Sequence, residues 1–349
     1  MFNEILHKIK DSHYKNLPFV AYRKPNSDEL SALFMESNAL RYTEDFSENG
    51  FVFSPFDANE KTILFPLKEG VFLTEHLNLE KSVHLQKSLS EEVLDKDFHI
   101  SLVKKTIEKI TTSNLEKIVI SRKEALPLVD FNFLKTFIEL LKNYKNAFVY
   151  VWFHPEIGLW LGASPETLLN IKNRKFETMS LAGTQVYQNT NTVTWGKKEL
   201  EEQQLVTDFI KNQLQSISSA LKIDKTKTVK AGNLLHLKTN VKGELNNNAS
   251  LASLIRGLHP TPAVCGLPRN LAKDFILENE NYHRSFYTGF LGELNFKNQQ
   301  SSLFVNLRCM QISDTIASIY IGGGITKESI PEKEFQETVS KAKTMKNVL

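Results

Sequence analysis

The chain has 349 residues, 41% of them hydrophobic and 10% aromatic, enough to build the core of one large domain or two fused ones. Lys and Arg total 43 against 40 Asp and Glu, and the net charge of +3 gives no reason to expect nucleic acid or an anionic membrane as a partner. Only two cysteines occur, Cys265 and Cys309, both in apolar runs without C-x-x-C or Cys/His spacing, which argues against a disulfide framework or a zinc site and for buried thiols in a reducing compartment. The first 15 residues lack the apolar core of a signal peptide, and the longest apolar run, Ala147–Phe153, falls well short of a membrane span. A cytoplasmic location is expected.

Taken in chain order, the N-terminal stretch to about residue 95 carries short apolar segments, Phe51–Phe53 and Thr62–Leu67, and no recognisable chemistry. Ile100, Val103, Ile107 and Ile110 then recur at helical spacing, Lys117–Ser121 reads as a strand, and a second helix is expected after Asp130. Ala147–Phe153, Gly158–Ala163, Thr167–Lys172, Leu303–Ile312 and Ile316–Ile321 are β-branched or aromatic runs divided by turn residues. Helices are expected near Lys197–Leu221, Pro268–Glu278 and Pro331–Asn347. Strands in succession, broken by helices without regular β-α-β alternation, predict an α+β protein with a large antiparallel sheet system. No repeat or linker divides it, so residues 1–95 and 96–349 are read as two parts of one compact unit.

Several groups of residues have chemical potential. Glu199 with Glu202, and Glu334 with Glu337, are carboxylate pairs three residues apart, each pair on one face of its helix. Four carboxylates converging on one ion would favour Mg²⁺, a hard cation that takes oxygen ligands, although the same spacing suits a plain solvated face. Gly322, Gly323 and Gly324 follow a strand and precede a helix, where bare backbone can approach an anion or simply make a tight turn. Arg308, in an apolar run and sharing a face with Asn306, needs either an ion-pair partner or a ligand carboxylate. Lys117, if shielded from water, can act as a base, and Glu166, after a Ser-Pro corner, as an acid; a solvent-facing lysine and a turn glutamate are the plain alternatives. His236 and His259 have no partner at ligand spacing and read as hydrogen-bonded structural histidines.

In order along the chain, Lys117-Ile-Val-Ile-Ser-Arg122, Gly162-Ala-Ser-Pro-Glu166, Leu181-Ala-Gly-Thr184, Leu258-His-Pro-Thr-Pro-Ala263, Val305-Asn-Leu-Arg-Cys309, Ile321-Gly-Gly-Gly-Ile325 and Glu334-Phe-Gln-Glu-Thr338 resemble the chorismate-utilising enzymes, most of all isochorismate synthases. The match runs from about residue 100 to the C-terminus. The resemblance implies two antiparallel sheets enclosing the active site, with helices outside. It implies Lys117 as the base that activates water and Glu166 as the acid that protonates the departing hydroxyl. Glu202, Glu334 and Glu337 match the magnesium-binding glutamates, with Glu199 auxiliary. Arg308, Gly322–Gly324 and Lys341 match groups that hold substrate carboxylates, and Gly183, Thr184 and His236 are further substrate contacts. For hydration of chorismate Lys117 must be neutral and Glu166 protonated, shifts that burial favours. Lys198-Glu-Leu-Glu-Glu-Gln203 departs from the family's pattern around the first metal glutamate and leaves Glu201 as a competing register; Ser180 replaces a common proline.

Ammonia-using relatives such as anthranilate synthase lack the lysine, and aminodeoxychorismate-forming ones often carry a lysine at the position of Ala182, so water is the expected nucleophile and no glutaminase subunit is expected. Salicylate synthase, which continues to pyruvate elimination, is the nearest rival, and the His-Pro-Thr-Pro segment leans away from it. A non-catalytic anion-binding relative is the other, against which Lys117 and Glu166 both speak. Menaquinone synthesis is favoured over a catechol siderophore as the destination of the product.

Overall fold

A computed structural model describes residues 3–78, 95–187, 193–231, 234–296 and 298–349. Its helices are α1 (Asn3–Tyr14), α2 (Lys96–Thr111), α3 (Phe133–Asn143), α4 (Lys197–Gln215), α5 (Leu251–Leu258), α6 (Arg269–Asn279) and α7 (Pro331–Lys346). Among the described residues no helix is long and apolar enough to cross a membrane.

The strands form two sheets, antiparallel at every pairing described. The first has nine strands, in spatial order Gly266–Leu267, Lys117–Pro127, Ile316–Ile325, Cys309–Ser313, Gly158–Ser164, Phe148–His154, Phe19–Arg23, Glu29–Met35 and Gly70–His76. The second runs Ser218–Ile223, Leu234–Leu245, Lys175–Val186, Thr167–Lys172, Gln300–Val305, Phe290–Phe296, Gly50–Ser54, Thr62–Pro66 and Arg41–Thr43, with Lys227–Ala231 paired beside Leu234–Leu245. The N-terminal segments thus complete the far side of both sheets.

Alternation along the strands sorts the core into layers. Val20, Tyr22, Tyr150, Trp152 and Trp160 of the first sheet meet Phe51, Phe53, Phe65 and Phe304 of the second in an aromatic interior. Their neighbours Phe19, Ala21, Val149 and Val151 point the other way, against α1, α3 and α7. The outer face of the second sheet is covered by α4 and α5 through Val206, Ile210, Leu254 and Ile255. The α+β reading and the paired antiparallel sheets hold. The helix expected to reach Leu221 stops at Gln215, and Ser218–Ile223 is instead an edge strand. Cys265 and Cys309 are both free and buried.

Candidate active site

Two crossings between the sheets lie against each other. Pro165 and Glu166 carry the chain from Gly158–Ser164 into Thr167–Lys172, and Asn306-Leu307-Arg308 carries it from Gln300–Val305 back to Cys309–Ser313. The Val305 N–H donates to the Glu166 carbonyl and the Ala163 N–H to the Arg308 carbonyl, each at 3.0 Å. The run expected as one strand from Leu303 to Ile312 is therefore two strands in different sheets, and Arg308 sits at the corner, not inside a strand. The break has a local cause: the fully buried Asn306 amide accepts from Tyr150 Oη at 2.6 Å and donates to the Phe286 carbonyl at 2.9 Å, while Arg308 takes φ +47°, which interrupts a regular ladder.

This corner places the expected acid in a cavity wall, within electrostatic reach of the expected base. Lys117 opens its strand fully buried, with Nζ 2.8 Å from Glu202 Oε1. Glu166 is 3% exposed; burial pushes its carboxyl up to about 8, against the pull of Lys117 and Arg308. The expected shift of Glu166 is present. Lys117, however, is held in an ion pair with Glu202, and that pair must part before Nζ can turn into the cavity.

The glycine run is strand and not loop. Gly322, Gly323 and Gly324 continue Ile316–Ile325, opposite Ser121, Ile120 and Val119. The Ser121 N–H turns outward to Glu280 and the Val119 N–H to the Cys265 carbonyl, so the facing Gly322 and Gly324 also turn their polar groups away from that neighbour. Lys341 Nζ donates to the Gly322 carbonyl at 2.9 Å. Glycine is required by close approach: a Cβ on Gly324 would lie 2.5 Å from Glu202 Oε1 and 2.8 Å from Lys117 Cε.

Helices α4 and α7 bring acids to that bare strand. A Cβ on Gly323 would stand 3.9 Å from both Glu334 Oε2 and Glu337 Oε1, so three carboxylates surround two adjacent glycines. Each is drawn to its own lysine: Glu202 to Lys117, Glu334 to Lys198, and Glu337 to Lys341 at 2.6 Å. Burial raises the Glu334 carboxyl, Lys198 opposes that and Glu337 adds to it. Hard oxygen donors with mutual repulsion fit Mg²⁺ in chemistry. In this arrangement the lysines supply the countercharge, and among the described residues no three such side chains are gathered for ligation. Glu199 stands apart from the three. Its carboxylate turns back over Gly196 at the start of its own helix, although it lines an outer cavity with Glu334 and Glu337.

Gln203 settles which face of α4 looks inward. Its buried amide accepts from the Ala182 N–H at 2.9 Å and donates to Ser180 Oγ and Thr239 Oγ1, locking the helix to the second sheet. Glu202 then points to Lys117, whereas Glu201 is half-exposed and pairs with Lys197. Glu202→Ala is expected to remove most turnover and Glu201→Ala to leave it unchanged; the reverse in a steady-state assay would overturn this placement.

Gly183, with φ +68°, makes a bulge between Ala182 and Thr184 that turns its carbonyl toward His236 Nδ1 at 3.0 Å. A carbonyl only accepts, so Nδ1 carries the proton and Nε2, buried without a partner among the described residues, is left as an acceptor at the cavity wall. Burial, then Arg308 and Lys341, hold this ring down to about 3, so it stays neutral. Glu166, Gly183, Thr184, Glu202, His236, Arg308, Gly322–Gly324, Glu337 and Lys341 all line one small cavity.

The family model described as chorismate binding enzyme matches residues 60–349. The chain belongs to that family. It is 29% identical over 276 residues to isochorismate synthase MenF of Escherichia coli (strain K12), covering 76% of this chain and 63% of that one. To isochorismate synthase DhbC of Bacillus subtilis (strain 168) it is 33% identical over 195 residues, 53% of this chain and 49% of the relative. These matches span 63% and 49% of the relatives' lengths, less than two thirds of either. A crystal structure from Bacillus anthracis, described as a proposed 2,3-dihydroxybenzoate-specific isochorismate synthase, DhbC, superposes with a TM-score of 0.82 at 25% identity and 98% coverage of both chains.

In this chorismate binding enzyme, sequence reasoning passed over Lys198, Gln203, Thr288 and Tyr287. Lys198 and Gln203 were inside the segment already singled out, and Lys198 lies four residues before Glu202, a spacing that brings the two onto one helix face. Tyr287 and Thr288 also line the cavity, but stand in a segment with no strand or helix pattern to draw attention.

Proposed function

We propose that the chain converts chorismate to isochorismate with the help of Mg²⁺. The observation that carries this reading is a buried carboxyl, Glu166, with an affinity for its proton suited to an acid near neutral pH, in one cavity wall with Arg308 and within electrostatic reach of Lys117. Once its pair with Glu202 has parted, Lys117 takes a proton from water as the water oxygen bonds to carbon 2. The ring double bonds shift, and the carbon-4 hydroxyl leaves with the proton of Glu166 as a second water, so the net change is an isomerisation. Arg308, the outward N–H groups of Gly322 and Gly324, and Lys341 supply positive partners for the two substrate carboxylates. His236 Nε2 accepts a hydrogen bond from a substrate hydroxyl. Glu202, Glu334 and Glu337 would hold Mg²⁺, which would draw charge onto the ring carboxylate.

The test is incubation of the protein with chorismate and Mg²⁺, with products separated by chromatography. Isochorismate is expected, with activity lost on chelation and restored by Mg²⁺. Salicylate plus pyruvate from the outset would identify a salicylate synthase, and anthranilate formed with ammonia would sink the case for water. The product would feed menaquinone or else siderophore synthesis.

A further inference from the structure

The central cavity, at about 70 Å³, is the small middle member of a connected set. Two larger cavities adjoin it, and their charges are opposite. One, of about 590 Å³, shares Thr184 and Glu337 with the centre and is rimmed by Glu199, Glu328, Glu332 and Glu334 against Lys198 and Lys333. The other, of about 430 Å³, shares Pro165, Leu181, His236 and Arg308 with the centre, and its charged lining residues are Lys145, Lys230, Lys238 and Arg308, without a carboxylate.

The cations of this second cavity are poorly compensated. Lys145 pairs with Asp28 at 3.2 Å, both exposed. Lys230 lies over the Tyr187 ring at 3.7 Å, and among the described residues no ion pair forms at Lys230, Lys238 or Arg308. Lys238 shares a strand face with His236, two residues away, and is half-buried. Burial lowers its ammonium below the usual range, opposed by Glu177. A half-buried ammonium and a half-buried guanidinium, neither in an ion pair among the described residues, attract an anion more strongly than surface lysines do, because little water screens them.

The geometry points to this basic vestibule as the entry route of the substrate dianion, with Lys238 and Lys230 as steering residues that hand it to Arg308. The inference rests on the proposed function for the identity of the dianion. An anion approaching by the other mouth would meet a net negative rim. Arg308 belongs to both the vestibule and the centre, so an incoming carboxylate need not leave one cation before reaching the next. Lys230 and Lys238 lie outside the residues assigned to proton transfer or to holding the bound substrate, and their charge acts on encounter.

The experiment measures isochorismate formation by wild type, Lys238→Gln, Lys230→Gln and the double variant from low to high ionic strength. In the double variant kcat/KM at low salt should fall by about 3- to 10-fold, entirely through KM, and its dependence on salt should flatten. The curves should converge at high salt, where charges are screened within a few ångströms. Lys238→Arg should retain the wild-type salt dependence, and Lys15→Gln, on an exposed site elsewhere, should change nothing. A double variant with wild-type kcat/KM and wild-type salt dependence overturns the inference, as does a fall in kcat that persists at every salt concentration. A wild-type protein that leaves chorismate unchanged refutes the proposed function itself, a result read without any variant.

Discussion

Lys117→Ala should lower turnover of chorismate by about 10²- to 10⁴-fold, the usual contribution of a positioned acid or base, while chorismate still binds. Lys117 Nζ is the nitrogen beside Glu202 at 2.8 Å, and the side chain is fully buried between the glycine strand and α4. Binding survives because Arg308, Lys341 and the Gly322–Gly324 backbone are separate from it. The substitution also removes the partner of a carboxylate that is 12% exposed. Breaking a buried pair costs about 3–5 kcal/mol when nothing replaces it. The cost here should be at the low end, since Lys198 and Lys341 also act on Glu202. Lys117→Met, which fills more of the space without a basic nitrogen, separates the two effects: it should fold more stably than Lys117→Ala and be equally inactive. Calorimetric binding of chorismate beside a turnover assay checks both variants. A Lys117→Met protein with near-normal turnover would take the base out of the mechanism.

The distribution of what could be read from sequence follows from the range of the interactions. Strand Thr167–Lys172 was legible to the residue because its alternation and flanking turn residues are local. The site residues were legible as motifs, and the structure brings Lys117, Glu166, Arg308, Glu202 and Glu337 together from segments up to 220 positions apart in the numbering from 117 to 337. Three features were not legible. Arg308 in a left-handed corner depends on Asn306 being tied to Tyr150 and Phe286, contacts more than one strand away. Three successive glycines inside a strand contradict β-propensity, and become intelligible only once Glu202 and Lys117 are seen to occupy the space of a side chain. The pairing of each site carboxylate with a lysine was hidden for a different reason. Spacing reports which residues share a helix face, and Lys341 with Glu337 fits that rule, but Lys117–Glu202 and Lys198–Glu334 join separate elements. Three of the four carboxylates expected around one ion are thus also members of ion pairs.

Glu166→Gln should be as severe for turnover as Lys117→Ala and should differ from it in two dependences on pH. In the proposed reaction Glu166 gives its proton to the departing hydroxyl, so it must be protonated, and burial holds that proton up to a pKa of about 8 despite Lys117 and Arg308. Wild-type turnover should therefore fall as pH rises through about 8, the carboxylate form being inactive as an acid. Glutamine keeps the shape and hydrogen-bonding capacity but has no proton to give, so the variant should show neither the activity nor that limb of the profile. Stability supplies an independent readout. The native carboxyl holds its proton more tightly than the unfolded one, whose value is near 4.5, so the native state binds the extra proton between about 4.5 and about 8. Its contribution to stability is complete below 4.5 and is lost as pH rises through 8, because above that pH folding must bury a carboxylate. Removing the ionisable group removes this slope. Denaturant unfolding of wild type and Glu166→Gln across this range should show the variant gaining stability relative to wild type as pH rises, with chorismate affinity near neutral pH little changed. Parallel stability profiles for the two proteins would mean that Glu166 does not hold its proton in the folded state, and the acid would have to be sought elsewhere in the cavity wall.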